Sequence, residues 1–258
     1  MAMKQSRRVA LLVTLAVVCV PLTSLATGGT AYGWGRPALA NESGNSYFPL
    51  VAGATWTYKY VGGPEAGSIY TLHVVSAQRT AGGEAVEIQS AVGASKFMES
   101  YVIAPNGAIQ VKIPSSKVTL TGDLSRYFFP SASQVTTCHP CHFTADFTTA
   151  GSGVSIKTHM VETVTSLGLK VVHVPAGAFH AEQVQLAMNL TSGATTASGT
   201  VPAYVKQATS SASTTRYSIF LVKNVGIVET GAVTAVVSVM GRSFTSQIGA
   251  AELVSYRP

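Results

Sequence analysis

Reactive side chains cluster at one place in the 258-residue chain, Cys138-His139-Pro140-Cys141-His142, and their spacing admits three kinds of chemistry. Cys138, Cys141 and His142 satisfy C-x-x-C-H, the attachment pattern of a c-type haem. In that chemistry the two thiols form thioethers to the haem vinyl groups and the histidine becomes the proximal iron ligand. The same two cysteines can instead pair as a disulfide, which an oxidising compartment favours. His139, Cys141 and His142 also offer ligands for copper or zinc, but the second ligand cluster of a zinc knuckle or ribbon is missing from the sequence. A haem needs a pocket, usually built on helices, and nothing selects a sixth ligand from Met98, Met160, Met188, Met240, His159, His173 and His180. The disulfide therefore leads and no cofactor is expected, with haem c as the alternative. A C-x-x-C disulfide closes a very small ring, so it would hold a loop and add little to the domain as a whole.

The compartment follows from the start of the chain. Lys4, Arg7 and Arg8 precede an apolar run from Val9 to Val20, and Ser24-Leu25-Ala26 supplies the small residues that a signal peptidase reads. Residues 1–26 are thus expected to be a signal peptide cleaved after Ala26, with Ala38-Leu39-Ala40 as the second choice. The bulky Val18 before Cys19 argues against lipidation. The apolar run is short for a membrane span, and no later segment is long and apolar enough to be one. A secreted or envelope location is the expectation, with no transmembrane segment after cleavage.

Net charge is +6, from 17 basic and 11 acidic residues. Cleavage removes three bases and no acid, which leaves 14 bases against 11 acids, or +3. Those bases are scattered singly without aromatic interleaving, which argues against a nucleic-acid partner. Charged residues are only 11% and hydrophobic residues 47% of the chain, enough for a substantial core in one large β domain.

Residues 27–46, rich in Gly, Ala, Ser and Asn, read as a flexible lead-in, and a single β-rich domain is expected over 47–258. Strict alternation in Thr55-Trp56-Thr57-Tyr58-Lys59-Tyr60 puts Trp56, Tyr58 and Tyr60 on one face of a strand. That stripe is either core or the lining of a ligand groove. Further strands are expected at 69–78, 85–90, 97–103 and 108–113, joined by glycine-rich turns in an antiparallel meander. Residues 131–137 read as a polar loop delivering the cysteines. Strands resume at 143–149, 155–167, 169–174 and 181–190. Ser192 to Ser213 reads as a long Thr/Ser/Ala/Gly surface loop, with 201–205 as a short edge strand. Strands at 217–222, 226–230, 233–240 and 252–256 close the list. The fold class is all-β, mainly antiparallel: a curved meander sheet or half-open barrel with little helix.

Three segments together resemble a group of exported bacterial proteins and lipoproteins of unassigned function. Tyr47-Phe48-Pro49-Leu50, with Gly53, Trp56 and Tyr58, resembles their Y-F-P-L-x-x-G-x-x-W-x-Y opening. Val174-Pro175-Ala176-Gly177-Ala178-Phe179 resembles their V-P-A-G-x-F hairpin. Val222-Lys223-Asn224-Val225-Gly226-Ile227-Val228 resembles their G-x-G-x-V segment, with Asn224 in place of the first glycine. The resemblance implies a curved antiparallel sheet, similar to the half-open barrels of lipoprotein carriers such as LolA. It supplies no catalytic residue, and the Cys138–His142 pentapeptide lies outside its pattern.

No G-x-S-x-G, H-E-x-x-H, phosphate-binding glycine loop or dinucleotide fingerprint occurs in the sequence. The eleven acids are spread through strands and turns, and Glu84 with Glu87 does not make an acid/base pair. His173 and His180 flank the Pro175-Ala176-Gly177 turn, where exposure is commoner than metal binding. The sequence thus favours a non-enzymatic, exported β domain that binds an apolar ligand, lipid or envelope component, with Trp56, Tyr58 and Tyr60 as a candidate ligand face. The alternative is a monohaem electron-transfer protein using Cys138, Cys141 and His142.

Overall fold

Alternating apolar and hydroxyl-bearing residues leave the chain one way to hide its side chains, and the strands take it. The computed structural model describes residues 45–111, 118–122, 129–151, 154–196, 211–239 and 242–258. The expected signal peptide, most of the expected lead-in and the expected edge strand at 201–205 lie outside the described residues. Five strands come first: β1 (Thr55–Val61), β2 (Ile69–Thr80), β3 (Gly83–Val92), β4 (Ser95–Ile103) and β5 (Ile109–Val111). After β6 (Val118–Gly122) comes a six-residue helix, α1 (Ala132–Thr137), and then the long strands β7 (Cys141–Gly151), β8 (Val154–Val174) and β9 (Gly177–Thr196). The remaining strands are β10 (Ser211–Val222), β11 (Gly226–Thr230), β12 (Val233–Val239), β13 (Arg242–Ile248) and β14 (Ala250–Arg257).

All of them join one sheet, in the order β5-β4-β3-β2-β1-β14-β11-β10-β9-β8-β7-β6. Every pairing is antiparallel. The sheet is open and does not close into a barrel, in keeping with the expected curved meander sheet or half-open barrel. The path forks at β10: residues 219–222 pair with β11, whereas 211–216 pair with β12, which carries β13 on its far side. Inward-facing residues from β1 to β5, β7 to β11 and β14 belong to one buried cluster. A flat sheet of this width could not bring them together, so the sheet curls round its core.

Three devices set the curl. In β8, Leu167-Gly168 is an insertion between Ser166 and Leu169 in the pairing with β9, with Gly168 at φ 82°. A bulge of this kind bends the strand and raises its twist. The tip of the β8–β9 hairpin accordingly reaches across to β14, where the Ala176 N–H donates to the Leu253 carbonyl at 3.0 Å. Second, the segment before β1 lies on the inner face: Phe48 stacks between Trp56 at 6.0 Å and Phe129 at 5.3 Å. Buried Asn45 ties that segment down by donating to the carbonyls of Gly107 and Pro130 at 2.9 and 2.7 Å. Third, the β10–β11 turn sits directly on Trp56, whose indole N–H donates to the Val225 carbonyl. Any Cβ at Gly226 would come within 3.2 Å of the indole nitrogen. Asn224 holds φ 61° in the same turn, a left-handed conformation that asparagine tolerates better than other side chains.

Two expectations need correction. Residues 132–137 form a helix and not a polar loop. Ser131 caps it, its hydroxyl accepting from the Gln134 N–H while the Gln134 side chain accepts from the Ser131 N–H, a reciprocal capping box that stabilises even a short turn. The Thr/Ser-rich stretch is also less loop than expected, because β9 runs on to Thr196 and β10 begins at Ser211.

Candidate functional site

The pentapeptide lies where α1 hands over to β7. Cys138 is the C-terminal cap of α1 and is fully buried, and its sulfur is bonded to that of Cys141, with the Cα atoms 4.9 Å apart. The Cys138 carbonyl accepts from the Ser166 N–H at 2.7 Å, which fixes the loop to β8 beside the bend. Successive residues of a strand point to opposite faces. Cys141 packs against the core, whereas His142 is exposed and pairs through Nδ1 with the Thr163 hydroxyl at 3.1 Å. With the sulfurs joined and the histidine on the other face, the geometry gives the haem reading no support. His139 is exposed beside this loop. Among the described residues no three His, Cys, Asp or Glu side chains are grouped to hold a metal.

The aromatic stripe is brought together and covered. Trp56, Tyr58 and Tyr60 are almost wholly buried. Trp56 stacks on Tyr256 at 5.3 Å, Tyr58 on Tyr70 at 4.8 Å, and Tyr60 lies tilted against Tyr70 at 5.3 Å. The Tyr58 hydroxyl donates to the Ile227 carbonyl at 2.9 Å, and burial pushes its pKa far above the usual phenol value. The stripe is the centre of the core on this wing. His173 and His180 are both exposed on the β8–β9 hairpin, opposite Ala178 and Val171 respectively. They sit on a diagonal of its outer face.

A different set of residues stands out on the inner wall formed by β7 to β10. Register places Phe143, Glu162, Met188 and Thr215 in one row across four strands. The next row is Ala145, Met160, Leu190 and Ser213. Most of this wall is apolar, yet it contains a carboxyl and two hydroxyls. Glu162 is 6% exposed, Ser213 6% and Thr215 1%. Neither hydroxyl has a hydrogen-bond partner. Glu162 takes part in no hydrogen bond or ion pair with a described residue. Burial alone raises its pKa to about 7, well above the 4.5 of a free glutamate. Buried polar groups are hydrogen-bonded in the great majority of cases, so two unpartnered hydroxyls beside a carboxyl with no partner among the described residues form an exception that calls for a reason.

The wall continues outward. On β12, Val237 stands opposite Ser213 and Ala235 opposite Thr215, and on β13 Phe244 stands opposite Val237. Exposure rises along this line until Phe244 is 57% exposed. An apolar surface thus runs from the core out to the sheet's forked edge.

Sequence reasoning missed this wall, although one signal for it was present. Met160, Glu162 and Val164 share the buried parity of β8, and a carboxyl at such a position needs a partner. Ser213 and Thr215 gave no such signal, because inward hydroxyls interrupt the alternation by which a strand is recognised.

No protein-family model and no curated protein matches the chain. Among solved structures it is similar to a candidate exported protein with YmcC-like fold from Bacteroides fragilis, at 14% identity and a TM-score of 0.45. That match covers 83% of this chain and 100% of that chain. It is also similar to a candidate lipoprotein from Parabacteroides distasonis, at 13% identity and a TM-score of 0.46, covering 83% of this chain and 99% of that chain. Among the described residues no helix is long and apolar enough to cross a membrane.

Proposed function

We propose that the chain is an exported, non-enzymatic β domain that holds an apolar ligand or lipid of the cell envelope against the inner face of its sheet. The observation that carries this reading is the apolar surface running from Met160 and Leu190 past Val237 to the exposed Phe244. Isolated exposed apolar residues are ordinary, but an apolar surface continuous with the core is a feature of ligand and lipid sites. The basic n-region and apolar run at the start of the chain support the extracytoplasmic location. Cys138–Cys141 then serves to hold α1 against β8 at the base of the wall. The reading is tested by backbone hydrogen exchange of the processed protein with and without lipid vesicles and envelope extracts. Added protection concentrated in β8, β9, β10 and β12 is the expected result. Unchanged exchange in those strands with every lipid and extract would remove the basis for ligand binding.

A further inference from the structure

Resting on that reading, we propose that Glu162, Thr215 and Ser213 form a subsite for the ammonium head of an amine-bearing amphiphile, whose chain lies outward along Leu190 and Val237 towards Phe244. The ligand class follows from what each group can do. An ionised carboxylate only accepts hydrogen bonds, and an ammonium only donates them; hydroxyls can do either. Glu162 and Thr215 occupy one row with Met188 between them, which sets their Cα atoms about 10 Å apart at two strand spacings. A head carrying an ammonium with an oxygen two or three bonds away fits that gap: the nitrogen donates to Glu162 and the oxygen accepts from Thr215. Ser213, two residues along β10 on the same face, meets a second oxygen of the head or the start of the chain.

Among the described residues the neighbours supply no such partner. Phe143 on β7, Met188 on β9 and Met160 and Val164 on β8 surround Glu162, and α1, which packs against β8 and β9, carries no charged residue. A carboxylate left alone in such surroundings is held towards its neutral form, as the raised pKa records, and an incoming ammonium restores the charge. An anionic head would meet the carboxyl and gain nothing from it.

The test compares three single-chain probes of equal length, dodecylammonium, dodecanol and dodecanoate, each below its micelle concentration, by calorimetric titration into the processed full chain at pH 8. The protein's positive net charge would by itself favour the carboxylate, so a preference for the amine must come from a local group. The expected result is dodecylammonium binding at least about tenfold more tightly than dodecanol, the size of a hydrogen bond to a charged group. In Glu162→Gln that preference should fall to about twofold or less, with dodecanol binding retained. Glu162→Met, an apolar replacement of similar length, should behave the same way. Equal binding of all three probes, or an amine preference that survives in both variants, would overturn the subsite and leave the apolar face standing. No binding of any probe would overturn both.

Discussion

The two wings of the sheet solve the same problem differently. On the β1–β4 wing the indole of Trp56, the hydroxyl of Tyr58 and the half-buried carboxyl of Glu99 are provided for. Trp56 donates to the Val225 carbonyl and Tyr58 to that of Ile227, while Glu99 accepts from Tyr101 and from Ser90. Glu99, like Glu162, has its pKa raised by burial, but the hydrogen bonds from Tyr101 and Ser90 pull it back. On the β7–β10 wing nothing among the described residues does this for Glu162, and the Ser213 and Thr215 hydroxyls are equally alone. The first wing pairs its carboxyl within the chain; the second has the polar chemistry of a core still waiting for its partner. A region that leaves such groups unsatisfied is less stable than it could be, and functional sites are where that cost is retained.

The contrast can be broken or sharpened by substitution. The largest expected effect is in the β1–β4 wing: Trp56→Ala should cost about 4 kcal/mol of unfolding free energy in denaturant titrations, because it empties the centre of an aromatic stack. A loss under 1 kcal/mol would mean that the β1–β4 wing is not packed as described. Reducing Cys138–Cys141 should cost about 2 kcal/mol at most, since the ring it closes is small. Intact mass should show the oxidised chain two hydrogens lighter than the reduced one, whereas a covalent haem mass with a Soret band would refute the disulfide. Tyr58→Phe should then cost about 1 kcal/mol by orphaning the Ile227 acceptor. Thr215→Val, the matching change on the other wing, should be neutral or stabilising by up to about 1 kcal/mol, because it removes a hydroxyl that has no partner. If Thr215→Val cost as much as Tyr58→Phe, the two wings would be alike after all.

Much of this sheet was legible in the sequence, for a physical reason that also explains the gaps. Strands with one buried apolar face announce themselves by alternation, and so β1, β2, β11 and β14 fall within two residues of expectation. β13 was not expected, because residues 242–247 are exposed on both faces and no core requirement patterns them. The first half of β10, Ser211-Ala212-Ser213-Thr214-Thr215-Arg216, was hidden for the opposite reason. It does have a buried face, but hydroxyls occupy it. The feature that makes this strand a candidate binding element is what disguised it as a loop. α1 is too short for helical periodicity, though its Ser131-x-x-Gln134 cap was readable. The pentapeptide was legible as a set of options only, since which of its side chains share a face depends on the strand that begins at Cys141.

The claim that Glu162 is buried without a partner is open to one direct measurement: the unfolding free energy of wild type and Glu162→Gln at pH 4 and at pH 8, without ligand. A carboxyl with a folded pKa of about 7 and an unfolded value of 4.5 holds its proton more tightly in the folded state. Stability is therefore unaffected at pH 4, falls as pH rises between the two values, and stays lower above pH 7 by about 3 kcal/mol. Glutamine cannot ionise and escapes the penalty. Relative to its difference from wild type at pH 4, the variant should gain about 3 kcal/mol at pH 8. A variant that is less stable than wild type at pH 8, with no such gain, would mean that the carboxylate already has a partner within the chain and would contradict the account.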